Sequence, residues 1–90
     1  MRFEWDPEKA RRNLVKHGVS VEEAATAFSD PPSLTTFDPD HSEDEDRYLL
    51  LGATHTLRLV VVAHTHRDES VRIISARLAS KRERSTYASS

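Results

Sequence analysis

The residues best equipped for chemistry lie in residues 71–87, VRIISARLASKRERSTY. Arg72 and Arg77 are set into a β-branched run made by Val71, Ile73 and Ile74, and a basic, helix-like tail then carries Glu83 and Tyr87. An arginine delivered to the end of a strand suits a phosphate, because guanidinium is always charged and offers a planar fork of donors. Arg47 stands at the mouth of an earlier strand and is the natural companion of Arg77 if the two strands bring their ends together. Metal-free cleavage of RNA needs the 2′-OH to attack the adjacent phosphate. A base takes its proton, an acid protects the leaving oxygen, and cations neutralise the transition state. Arg47 and Arg77 would supply the charge, and Glu83, Tyr87 and the histidines are candidates for proton transfer. Each has a plainer explanation. Arginines at sheet ends often pair with acids, here Glu45 or Glu83, and Glu83 is also the N3 residue of a capping box opened by Ser80. Tyr87, one turn further on, can simply cover the sheet.

Other constellations are thinner. His64, His66 and Asp68 fall on alternate positions, which an extended strand would aim to one side as a metal site, but no further ligand accompanies them. His17 precedes Gly18, where an imidazole favours the negative end of a helix dipole. Lys9 and Lys16 form a solvated face unless their helix borders the cleft that holds Arg77.

The elements that must position these groups follow from pattern. Residues 2–5 suit a brief strand. Asp6-Pro7-Glu8 opens a helix as N-cap, first-turn proline and dipole-complementing acid, and Gly18 closes it. Ala10 and Leu14, with His17 or Val15, share one face of that helix, with Lys9, Asn13 and Lys16 on the adjoining stripe. Ser20 to Glu23 reads as a capping box, with Val19 stapled on Ala24. The helix that follows, residues 21–28, ends before Asp30-Pro31-Pro32. Residues 34–37 form a weak edge strand, and residues 38–46 an acidic loop. Strands are expected at 47–53, 57–65 and 71–77, joined as antiparallel hairpins, the middle one most apolar and therefore central. In the last of these, strict alternation puts Ile73, Ser75 and Arg77 on one face, and Arg72, Ile74 and Ala76 on the other. The fold class is α+β, in the order β-α-α-β-β-β-β-α, with helices packed on an antiparallel twisted sheet.

Composition bounds the function. The chain has 90 residues, enough for a single small domain over 1–90 with a modest core. It has no cysteine, no secretory leader pattern at its start and no apolar run long enough to span a bilayer, so a cytoplasmic address is expected. The net charge of −2 argues against a general nucleic-acid binder, but the charges are segregated. Acids crowd residues 38–46, whereas Arg67, Arg72, Arg77, Lys81, Arg82 and Arg84 crowd the far end, consistent with one basic face.

Several of these residues carry a resemblance. Phe3-x-Trp5-Asp6, Lys9, Asn13, Lys16-His17-Gly18-Val19, Glu22-Glu23-Ala24 and Phe28-x-Asp30-Pro31 form its first half. Glu45-x-Arg47, Gly52, residues 72–77 (RIISAR), Ala79, Glu83 and Tyr87 complete it. Together they resemble the BrnT family of bacterial toxins along nearly the whole chain. The resemblance implies a RelE-like ribonuclease of a type II toxin–antitoxin pair, which cleaves RNA without metal or cofactor and arrests translation and growth. It implies a small antitoxin partner with a ribbon-helix-helix DNA-binding end, operator DNA reached only through the complex, and no membrane. Arg47, Arg77, Glu83 and Tyr87 are the implied catalytic set. Lys9, Lys16, His17, Arg67, Arg72 and Lys81 are the candidate RNA contacts. The alternative is a non-catalytic module that binds the antitoxin and co-represses the operon.

Overall fold

Helix boundaries follow the capping residues. The computed structural model describes residues 1–89. The elements run β1 (Arg2–Glu4), α1 (Pro7–His17), α2 (Val21–Thr26), β2 (Leu34–Phe37), β3 (Arg47–Ala53), β4 (Leu59–Arg67), β5 (Ser70–Leu78) and α3 (Lys81–Ala88), which is the expected α+β order. The Asp6 side chain accepts from the N–H groups of Glu8 and Lys9 at the start of α1. Gly18 ends the helix at φ 69°, a left-handed conformation that costs glycine least. Ser20 caps α2 through the Glu23 N–H, but the reciprocal half of that box is missing, because the Glu23 carboxylate is engaged elsewhere. At Ser80 both halves form.

The five strands are ordered β1-β5-β4-β3-β2, with β4 central and β2 at an edge. β2 to β5 make the antiparallel meander, while β1 joins the far edge parallel to β5. The middle hairpin strand begins at Leu59 rather than Leu57, because Leu57 sits in the turn at φ 66° and is 88% exposed. α1 and α2 cover one face, where Val19, Val21, Ala24 and Ala27 pack with Leu50, Val60, Val62, Ile73 and Ala76. No helix among the described residues is long and apolar enough to cross a membrane.

Two departures from simple periodicity decide what faces where. Ala63 pairs with Ser75 but His64 pairs with Ile73, so Ile74 is an extra residue in β5, a β-bulge. Paired residues share a face, so the bulge resets the alternation. Ile73 and Ala76 both face the core helices, and Ser75 and Arg77 face away. Arg72, level with Thr65 and Arg47, also faces away, so it shares a face with Arg77 rather than opposing it.

The second departure lies on α1. Leu14 and Val15 are 49% and 84% exposed, and the buried residue is Asn13, at 7%. β1 covers β5 only from Ser70 to Arg72, leaving the strand's outer edge bare beyond that point. The Asn13 amide fills the gap. Its Oδ1 accepts from the Ala76 N–H at 3.1 Å, and its Nδ2 donates to the Ala76 carbonyl at 2.9 Å and to the Val19 carbonyl at 3.0 Å. Asn13→Ala strands these buried backbone groups and is expected to lower unfolding free energy by about 3 kcal/mol. Val15→Ala should change it by less than about 0.5 kcal/mol. Urea unfolding of both variants checks this, and equal midpoints would contradict it.

Candidate active site

The sheet face turned away from α1 and α2 carries α3 over its upper end and the acidic loop near its lower end. On that face Arg77 sits level with Val61 and Leu51, near the end of β5. Its Nη1 and Nη2 donate to the two Glu83 oxygens at 2.7 and 2.9 Å, and Nη1 also reaches the Leu78 carbonyl. Glu83 simultaneously accepts from the Ser80 N–H at 2.7 Å, so the capping and pairing roles coexist. The Arg77 guanidinium, with help from Ser80, holds the Glu83 carboxyl down at about 2 despite its partial burial. One turn on, the Tyr87 hydroxyl donates to Asp30 Oδ2 at 2.6 Å, and the same oxygen accepts from the Ala53 N–H. That bond pushes the phenol above its ordinary value, so Tyr87 keeps its proton. Beneath α3 lies a groove of about 180 Å³, walled mainly by Leu34, Leu49, Leu51, Val61 and Thr86.

Arg47 shares this face but not this end. β3 and β5 run parallel to each other across β4, so the start of β3 lies beside the start of β5. Arg47 is level with Arg72, four residues short of the row of Arg77, a Cα separation of roughly 16 Å. The two arginines therefore do not meet at one sheet end. Arg47 instead lines a hollow with Asp40, His41, Glu43, Asp44 and Glu45.

The other candidates divide in the same way. Arg72 pairs with Glu4 at 3.5 Å and Arg67 with Glu45 at 3.5 Å, so both are committed to acids. Lys81 is exposed at the start of α3. Lys9, Lys16 and His17 line one groove on the α1 side of the β5 edge. His64 is 1% exposed, and its Nδ1 donates to the Val62 carbonyl. Burial pushes its pKa down. His66 stacks edge-on to it at 5.5 Å, and Asp68 turns away at φ 53°. No group of three or more potential ligands forms among the described residues.

Arg58 proves to be a brace for the fold. It grips both oxygens of Glu23 and donates to the Gly18 carbonyl, while Thr54 and Thr56 donate to the same carboxylate. Sequence reasoning missed Asp30 as the anchor of Tyr87, and Arg12 and Ser75 as neighbours of the lysines. Asp30-Pro31 reads only as a turn, and nothing local links it to a residue so far along the chain.

A model of the "Ribonuclease toxin, BrnT, of type II toxin-antitoxin system" family matches residues 5–83. The chain belongs to the BrnT family of ribonuclease toxins. A solved structure, the 1.1 Å crystal structure of the Brucella abortus ribonuclease toxin BrnT, is similar at 25% identity and a TM-score of 0.66. The likeness covers 90% of this chain and 99% of that one. No curated protein sequence matches the chain. The BrnT match takes in Arg47, Arg77 and Glu83 and stops short of Tyr87.

The brace between Arg58 and Glu23 generates a pH prediction. The Arg58 guanidinium and two hydroxyls hold the Glu23 carboxyl at about 2, against an ordinary 4.5. A carboxylate depressed on folding stabilises the protein fully above about pH 4.5, and that contribution fades as pH falls toward 2. Glu23→Gln should therefore cost about 2 kcal/mol at neutral pH. It should also flatten the decline in stability below pH 4.5, read by denaturant titrations across pH; an unchanged acid limb would refute the assignment.

Proposed function

We propose that this BrnT family member is an endoribonuclease that cuts RNA without a metal ion, arrests translation and growth in the cytoplasm, and is neutralised by a cognate antitoxin. The observation that carries the reading is Arg77, fixed by Glu83 at the exposed end of β5 beneath α3. A guanidinium has five N–H donors, and the bonds to Glu83 and Leu78 leave others for a phosphate.

In the reaction, the 2′-OH loses its proton, the O2′–P bond forms, and the P–O5′ bond breaks. The departing O5′ gains a proton, leaving a 2′,3′-cyclic phosphate and a 5′-hydroxyl. Arg77 faces the negative charge that builds on the non-bridging oxygens, where such stabilisation is strongest. Glu83 and Tyr87 serve by position. A carboxylate held at about 2 is a poor proton acceptor, so Glu83 acts by aiming Arg77. Tyr87 ties α3 to Asp30 with its proton retained. His17, in the groove along α1, serves as an RNA contact. Arg47 holds RNA backbone at the opposite end of the same face.

The antitoxin we expect is a ribbon-helix-helix protein encoded beside the toxin, through which operator DNA is bound. Expression should halt growth of a bacterial host. Arg77→Ala should lower cleavage by about 100-fold and restore growth while circular dichroism stays native. Cleavage should persist in excess chelator. A folded Arg47→Ala/Arg77→Ala double variant that stays fully toxic would overturn the site. Intact RNA after incubation with the wild-type protein, with tight antitoxin binding retained, would favour the non-catalytic module.

A further inference from the structure

The groove between α1 and the bare edge of β5 has a composition unlike the rest of the surface. About 330 Å³ in volume, it is lined by Lys9, Arg12, Asn13, Lys16, His17, Ile74 and Ser75. Lys9, Arg12 and Lys16 recur at helical spacing, which stacks them on one stripe of α1. All three are exposed, and none forms a salt bridge among the described residues; Lys9 feels only the nearby charge of Asp6. The neighbouring Arg11 behaves differently, bonding Glu8 at 2.7 Å on another side of the helix. In a chain of net charge −2, three unneutralised cations along one groove are a local excess that asks for an anion.

The groove also leads somewhere. The bulge at Ile74 turns Ser75 away from the core helices, on the same face as Arg77, which lies two residues further along the strand and about 7 Å away. An extended anion lying on Lys9, Arg12 and Lys16 would pass Ser75 and arrive at the Arg77–Glu83 pair.

We propose that this groove is the track for the backbone of single-stranded RNA and that Arg12, with Ser75 at the exit, is part of the substrate-binding surface. The inference rests on the ribonuclease reading of the Arg77 end and extends it to phosphates remote from the cut. A repeating anion matches a repeating stripe of cations.

The experiment measures binding without cleavage. A fluorescein-labelled 2′-O-methyl 20-mer of mixed sequence lacks the attacking hydroxyl, so its affinity can be followed by anisotropy from 50 to 200 mM salt. For single strands the logarithm of affinity changes with log salt by about 0.7 for each phosphate contact. Arg12→Ala should reduce the slope by about 0.7 and the Lys9→Ala/Arg12→Ala/Lys16→Ala variant by about 2. Arg12→Lys should restore it, and Arg11→Ala should match wild type. An unchanged slope in Arg12→Ala and the triple variant, with native circular dichroism, would overturn the track. So would variants that bind RNA normally but lose affinity for the antitoxin, since the groove would then belong to the protein partner. Cleavage of unmodified RNA is scored separately with Arg77→Ala. Altered slopes with no cleavage by wild type would uphold the track while sinking the ribonuclease reading.

Discussion

Three hydrogen bonds from one side-chain amide hold together the two layers of this protein. β1 is too short to cover β5, and an uncovered stretch of strand leaves backbone donors and acceptors without partners. Asn13 presents the carbonyl and amide that a neighbouring strand would have offered, and satisfies both groups of Ala76. Its remaining donor hydrogen goes to Val19, the residue that leads into α2. α1 is thereby locked to β5 in one register, and the loop between the helices is locked to α1. The stripe of Lys9, Arg12 and Lys16 sits where it does because Asn13, on the same turns of helix, is pinned to the strand edge.

The bulge at Ile74 has the complementary effect on the strand. Without it, Ile73, Ser75 and Arg77 would share a face, and either the isoleucine would leave the core or the arginine would be driven into it. With one extra residue, Ile73 and Ala76 both reach the core, and Ser75 and Arg77 both reach the other side. Bulges often re-aim side chains next to functional sites. Here the cost is a local break in the ladder, and the gain is an arginine presented on a face free of the core helices.

Much of this was legible in the sequence because it depends on local chemistry. Asp6-Pro7, Gly18, Ser20 and the Ser80–Glu83 pair announce helix ends through bonds made within a few residues, and the element order follows. What escaped depends on partners distant in sequence. Helical spacing favours Leu14 for the buried face of α1, yet Asn13 takes it because Ala76 needs an amide there. A bulge has no signature in residues that are all compatible with a strand, so the faces of Arg72 and Arg77 were misassigned. Arg47 and Arg77 each stand at a strand end, as their positions suggest. Two hairpins between them return the chain to its original direction, and that places the start of one beside the start of the other.

The Arg77–Glu83 pair is then best understood through what it orients. As a partly exposed ion pair it adds little to stability on its own. Glu83, however, also closes the cap of α3, a helix with no buried residue, which keeps its place through this pair, through Tyr87 on Asp30 and through its cover over the groove below. The arginine is one of several anchors for the helix, and the helix in turn aims the arginine. Because Glu83 stays ionised far below neutrality, that mutual dependence is insensitive to pH across the physiological range. Charge at this end of the sheet is thus set by folding. Such preorganisation is what lets an electrostatic site act without rearranging its own dipoles at the moment of reaction.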